Sequence, residues 1–202
     1  KQAGHKVQIL DNLREKITYN PEDWNLVGIT AMSTYFPELC KEVEKAKSYG
    51  LKTIIGGAHV ICDPGQSLID SGADYAAAGE GERTITQLAS GKDPNQVEGL
   101  YYWEEGKPRK SNPDLSKLFK QKVMYTTKIG NQSRDFINNV DDFGEPDWEN
   151  IDPRSYPQTM PHGTIYKSSP FAPIITTRGC PYSCTYCSAP ITAGKKMRYR
   201  DP

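Results

Sequence analysis

Thr53-Ile54-Ile55-Gly56-Gly57-Ala58-His59 is the stretch that decides the fold. A short apolar run bounded by glycine reads as a buried strand, and the paired glycines mark a close approach at its end. Upstream, Phe36, Leu39, Cys40, Val43 and Ala46 recur three and four apart. That spacing predicts an amphipathic helix, opened at Pro37 and stopped by Gly50, with Cys40 on its core face. Three further strands are expected at Val7–Leu10, Leu26–Thr30 and Tyr75–Ala78. Asp63-Pro64 opens another short helix that Gly72 closes, and a last one runs from Gly81 or Glu82 to Ser90. Strands alternating with helices at these intervals predict an α/β domain over residues 1–92, a doubly wound parallel sheet.

Ligands of such sheets bind beyond the carboxyl ends of the strands. Here those ends carry Ala31-Met32-Ser33-Thr34, then Gly56-Gly57-Ala58-His59, then Gly79-Glu80-Gly81-Glu82. Two readings are open for the glycines: tight strand-to-helix turns, or a backbone left bare for a bulky ligand. Amides at a following helix start can also take polar or anionic groups. No GxxxxGK[ST] run occurs, and Gly79-Glu80-Gly81 lacks the third glycine of a dinucleotide fingerprint.

Later stretches change character. Val97–Trp103 and Lys107–Lys110 predict a hairpin turning at Glu104-Glu105-Gly106. Acidic and proline-bearing runs such as Asp141-Asp142-Phe143-Gly144-Glu145-Pro146-Asp147 follow, and nine of the fifteen prolines lie beyond residue 145. Residues 93–172 therefore read as a hairpin plus an extended surface linker, with Trp148, Tyr156 and Tyr166 as anchors and its charges solvated. The 202 residues carry no net charge, which gives no reason to expect nucleic acid as a partner. No apolar run approaches the ~18 residues of a membrane span.

Near the end stands Cys180-Pro181-Tyr182-Ser183-Cys184-Thr185-Tyr186-Cys187, a CxxxCxxC spacing just after the apolar Pro173-Ile174-Ile175. Five cysteines are an odd number for a disulfide framework. Structural zinc wants four ligands in paired spacings, and the candidates for a fourth, His162 and Cys62, lie in unrelated contexts. Three thiolates on one loop instead suit three irons of a 4Fe–4S cube whose fourth iron stays open to a small molecule. The basic stretch Lys195, Lys196, Arg198 and Arg200 follows. It reads either as a solvated loop or as a source of one or two cations for a carboxylate.

The segment from Ile174 to Arg200 resembles the start of a radical S-adenosylmethionine domain. The strings Gly56-Gly57-Ala58-His59, Gly72-Ala73-Asp74-Tyr75, Gly79-Glu80-Gly81-Glu82-Arg83 and Gly99-Leu100-Tyr101-Tyr102 resemble the cobalamin-binding domain that precedes it in one large enzyme class. That resemblance implies Cys180, Cys184 and Cys187 as cluster ligands and S-adenosylmethionine on the open iron. It sets Tyr186 near the adenine, and Ser33, Gly56, Gly57, His59, Gly79, Glu80, Gly81 and Glu82 around cobalamin. His59, following the third expected strand, reads as a contact or loop-ordering residue rather than a cobalt ligand.

The resemblance further implies reductive cleavage of S-adenosylmethionine to a 5′-deoxyadenosyl radical, most often for methyl transfer to an unactivated centre. A small-molecule substrate and an external electron donor of flavodoxin or ferredoxin type would complete the reaction. An oxidative cyclase acting on magnesium-protoporphyrin monomethyl ester, or a non-catalytic cobalamin- or metal-binding module, are the alternatives. An oxygen-sensitive cluster and unpaired cysteines point to the reducing cytoplasm. Lys1-Gln2-Ala3-Gly4-His5 reads as a helix end and Asp201-Pro202 as a helix start. A fragment is therefore expected, lacking its first strand and most of a (β/α) barrel that begins at residues 173–202.

Overall fold

The structure, a computed structural model, describes residues 3–12, 15–104, 107–110, 136–156, 170 and 172–201, with backbone alone for 107–110. The strand expected from the Thr53-Ile54-Ile55 run forms, with a parallel neighbour on each side. Strand β1 (Leu26–Thr30) leads through helix α1 (Phe36–Ser48) to β2 (Lys52–Gly56). Two short helices follow, α2 (Ala58–Cys62) and α3 (Pro64–Ser71), then β3 (Tyr75–Ala77) and α4 (Gly81–Ala89). β1 pairs in parallel with β2 from Leu26↔Lys52 to Thr30↔Gly56, and β2 in parallel with β3.

Alternation along β2 explains why helices cover both faces, since neighbouring side chains of a strand point to opposite sides. Ile55 joins a core of Leu39 and Val43 from α1, Val60 from α2 and Leu68 from α3. Ile54 points the other way, into a cluster with Ala77, Val97, Leu100 and Tyr102 against which Leu88 of α4 packs. Cys40 lies half-buried against the first cluster, as the helical spacing predicts. The stops are also as expected. Asp63 accepts a hydrogen bond from the Gln66 amide at 3.0 Å, Pro64 begins α3, and Gly72 ends it in the left-handed conformation at φ 64°.

Three expectations need correction. Val7–Leu10 belongs to no strand; it lines, with β1, an open hollow of about 1930 Å³ beside the sheet, and Val7 and Ile9 are exposed. β1 is an edge of the sheet, paired only with β2 among the described residues, and Val7–Leu10 makes no ladder with it. The sheet is also not wholly parallel. β4 (Leu100–Glu104) pairs antiparallel with β3, and β5 (Lys107–Lys110) antiparallel with β4, so the hairpin extends the sheet past residue 92. The reason is burial: Leu100, Tyr101 and Tyr102 are all core residues. Glu104 is the last residue of β4, while Glu105 and Gly106 lie outside the described residues.

The acidic connection has further anchors beside those expected. Ile137 and Val140 are buried and Tyr156 is half-buried, whereas Trp148 remains exposed and Tyr166 lies outside the described residues. The final segment has β6 (Thr177–Arg178), helix α5 (Ala189–Thr192) and β7 (Arg198–Tyr199), with β6 and β7 forming a separate antiparallel pair. Ile174 and Ile175, expected within a barrel strand, are instead exposed at 53% and 57% and outside β6. No helix among the described residues is long and apolar enough to cross a membrane.

Candidate functional site

Beyond the carboxyl ends of β1, β2 and β3 the expected residues do gather, but for different reasons. The Ala31 amide donates to the Gly56 carbonyl at 3.4 Å, carrying the β1–β2 pairing into the loops. Ser33 starts a short 3₁₀ turn, and its hydroxyl lies 3.1 Å from His59 Nδ1. The His59 ring rests on Phe36 at a centroid distance of 4.0 Å. His59, at the start of α2, thus joins the segment after β2 to the segment after β1.

The glycines divide between the two readings. Gly57 sits at φ 94°, where a Cβ would fall on the Thr30 hydroxyl and 3.0 Å from the Ala31 carbonyl oxygen. Gly79 is also left-handed, at φ 79°. Both are explained by the turn itself. Gly56 and Gly81 have no such constraint: a Cβ at either would meet only Ala77 Cβ, at 4.0 and 3.7 Å. Neither is held to glycine by its turn or by a close approach.

Glu80 departs from its expected role as a cobalamin contact. It is 6% exposed. Arg178 Nη1 donates to its Oε1 at 3.2 Å, while Arg198 Nη1 and the Ile137 amide donate to Oε2 at 2.8 and 2.9 Å. Burial pushes the Glu80 carboxyl up, but the bonds from Arg198, Ile137 and Arg178 and the charge of Arg198 outweigh it and hold it below the usual carboxylate range. Glu82, likewise expected near cobalamin, accepts from Arg178 Nη2 at 2.9 Å. Both carboxylates therefore face the segment that carries the cysteines.

That segment is tied down at its ends. The Cys180 amide donates to the Gly194 carbonyl at 2.9 Å, and the Arg200 amide to the Thr176 carbonyl at 2.9 Å. Gly179, at φ 106°, lies so close to Lys196 that a Cβ would collide with its carbonyl oxygen. Within the loop, the Cys187 amide donates to the Cys184 carbonyl at 3.2 Å, and Cys187 Sγ accepts from the Ala189 amide at 3.4 Å. Cys184 and Cys187 are exposed and Cys180 half-buried. Among the described residues no three His, Cys, Asp or Glu side chains are close enough together to hold a metal ion, so the three thiols share a loop without forming a finished ligand set. Their donor chemistry nonetheless suits a thiolate-held cluster. Tyr186 is 90% exposed.

Two of the four cations after the cysteines are engaged inside the protein. Arg198 is 4% exposed and also donates to the Ile137 and Ala193 carbonyls, each at 2.7 Å. Arg200 faces Asp141 at 3.5 Å and Glu145 at 3.8 Å. Only Lys195, bonded to the Ser183 hydroxyl, and Lys196 remain turned to the loop or to solvent. The acidic connection is correspondingly not just solvated: Asp142 pairs with Arg83 at 3.7 Å, and Phe143 lies 3.6 Å beneath the Arg178 guanidinium. Arg178 and Arg198 have structural roles that sequence spacing could not assign, because their shared partner Glu80 lies 98 and 118 residues away.

Residues 1–89 match the family described as the B12 binding domain. The chain is 27% identical to an uncharacterised methyltransferase of Pyrococcus horikoshii, over 96% of this chain and 39% of that protein. It is 24% identical to bacteriochlorophyllide d C-8(2)-methyltransferase of Chlorobaculum tepidum, over 98% of this chain and 35% of that protein. The chain thus spans about two-fifths or less of the length of these curated relatives. In fold it is similar to TsrM of Kitasatospora setae, a radical S-adenosylmethionine methyltransferase solved with cobalamin and a [4Fe-4S] cluster bound. That likeness has a TM-score of 0.53 at 19% identity, covering 87% of this chain and 33% of the other. Residues 1–89 thus resemble a B12-binding domain, and the mixed α/β sheet is consistent with a Rossmann-like fold of that kind. The two curated relatives named are methyltransferases.

Proposed function

We propose that this chain is the cofactor-meeting portion of a cobalamin-dependent radical S-adenosylmethionine methyltransferase. One observation carries the reading: the CxxxCxxC loop is fastened beside the strand ends of the B12-binding domain. α5, directly after Cys187, packs on α2, directly after Gly57. Arg178, two residues before Cys180, reaches Glu80 and Glu82.

In this reading Cys180, Cys184 and Cys187 hold a 4Fe–4S cluster, with S-adenosylmethionine on its open iron and Tyr186 toward the adenine. Gly56 and Gly81 give cobalamin a bare backbone, and the Ser33–His59 pair keeps the adjoining loops in place. Gly57 and Gly79 shape the turns, and Glu80 and Glu82 brace the cysteine segment. When bound, the cluster supplies the electron for reductive cleavage of S-adenosylmethionine, and cobalamin supplies methyl-transfer chemistry. The protein's part is to orient the two groups against each other and against a small-molecule substrate. An external electron donor and the reducing cytoplasm belong to the same proposal.

The test is anaerobic reconstitution of the full-length protein with iron, sulfide and hydroxocobalamin. The expected result is a 4Fe–4S absorption and electron-paramagnetic-resonance signature that disappears when Cys180, Cys184 and Cys187 are replaced by alanine. Tightly bound zinc without iron would refute the cluster half. Failure to retain hydroxocobalamin would refute the other half.

A further inference from the structure

We propose that Glu80 is a positioning residue that fastens the cysteine loop to the B12-binding sheet, rather than a cobalamin contact; its value to catalysis rests on the function proposed above. The geometry brings three separated parts of the chain together on this side chain. Glu80 itself ends the turn after β3. Ile137 belongs to the acidic connection, and its amide donates to Oε2. Arg178 and Arg198 belong to β6 and β7, the two strands that bracket the cysteine loop.

The second partner of each arginine continues the network. Arg198 reaches the carbonyl of Ala193, just after α5, and the carbonyl of Ile137. Its guanidinium also lies 5.0 Å from the Phe136 ring, and that ring packs on Gly194, whose carbonyl receives the Cys180 amide. Arg178 adds Glu82 and rests on Phe143. Glu80 is therefore linked to the backbone of Cys180 through two routes, one on each side of the loop.

Burial makes the arrangement stiff. A carboxylate and a guanidinium withdrawn from water tolerate separation poorly, because either left alone is an unpaired buried charge. A surface ion pair would let the loop wander at little cost. The Glu80–Arg198 pair is of the first kind, and the Glu82–Arg178 pair, with its half-exposed carboxylate, is closer to the second. The two glutamates, adjacent but one in the sequence, thus differ in their hold on the same segment.

The experiment is hydrogen–deuterium exchange on the full-length protein without cofactors, which keeps it independent of cluster loading. Glu80→Gln is expected to speed exchange of the Cys180 and Arg200 amides at least tenfold while leaving the β2 amides of Ile54 and Ile55 within twofold. Glu82→Gln is expected to change both sets less than threefold. Arg198→Lys, which keeps the charge but loses the fork of hydrogen bonds, tests the same link should Glu80→Gln fold poorly; it should speed Cys180 and Arg200 and spare β2. Unchanged exchange at Cys180 and Arg200 in both variants overturns the proposal, and so does equal acceleration of β2. Hydroxocobalamin titration separates this idea from the wider one. Glu80→Gln should bind within threefold of the parent, and a loss above tenfold with unchanged exchange would make Glu80 a ligand contact. If the parent itself binds no hydroxocobalamin, the function proposed above fails while the exchange result still decides the role of Glu80.

Discussion

At the scale of single residues, two glycines and one aspartate carry sharp consequences. Gly57→Ala and Gly179→Ala each force a side chain into a left-handed backbone and onto neighbouring oxygens. Each is expected to cost about 1–3 kcal/mol, seen as a lowered midpoint of thermal unfolding. Gly56→Ala, which meets only Ala77, should leave that midpoint almost unchanged while weakening hydroxocobalamin binding in the full-length protein. Asp74 joins the starts of β2 and β3: it accepts from the buried Thr53 amide and hydroxyl, each at 3.0 Å, and from Lys52 at 2.8 Å. Asp74→Ala strips partners from Thr53 and is expected to destabilise by about 1–3 kcal/mol in urea unfolding. Little of this was legible in sequence. Paired glycines announced a close approach, but which of them serves a turn and which leaves space depends on φ and on what stands across the loop. Glu80 shows the same limit, since a strand-end carboxylate looks like a ligand contact until its arginines are seen.

Among elements, legibility was high wherever the signal was local. The three-and-four spacing of α1, the Asp63-Pro64 start of α3 and the Gly72 stop all appear where the sequence puts them. It failed where pairing decides. Val7–Leu10 has strand composition, yet a strand exists only in a ladder, and this segment pairs with no strand among the described residues. The hairpin after Val97 was legible as a hairpin, but nothing local said that β4 would lie against β3. Val43 and Leu68 are fully buried where α1 and α3 meet the sheet. Leu68→Ala is expected to cost about 2–5 kcal/mol, measured by urea unfolding, through lost burial and the cavity left behind. Ile69→Ala, on the exposed side of the same helix, should change stability by under about 0.5 kcal/mol.

Across the whole molecule, buried ion pairs join packing in holding the cysteine segment to the sheet, and they make the union sensitive to acid. Asp74 is pushed up by burial but held below the ordinary carboxylate range by Lys52 and by both hydrogen bonds from Thr53. Glu80, facing Arg178, Arg198 and the Ile137 amide with Glu82 nearby, is held low in the same net sense. A carboxyl whose folded pKa is depressed contributes stability that is complete above its unfolded value and is lost as pH falls through the folded one. Stability should therefore be flat above about pH 5 and fall below about pH 4, where ordinary carboxylates begin to protonate. Urea midpoints against pH should show this, with a shallower acid slope in Glu80→Gln and Asp74→Asn. One edge of the sheet carries a different lesson. β5 is its last strand among the described residues, and it contains Pro108. A proline has no amide to give a ladder, so this strand brings one hydrogen-bond donor fewer to any further pairing than its length would allow.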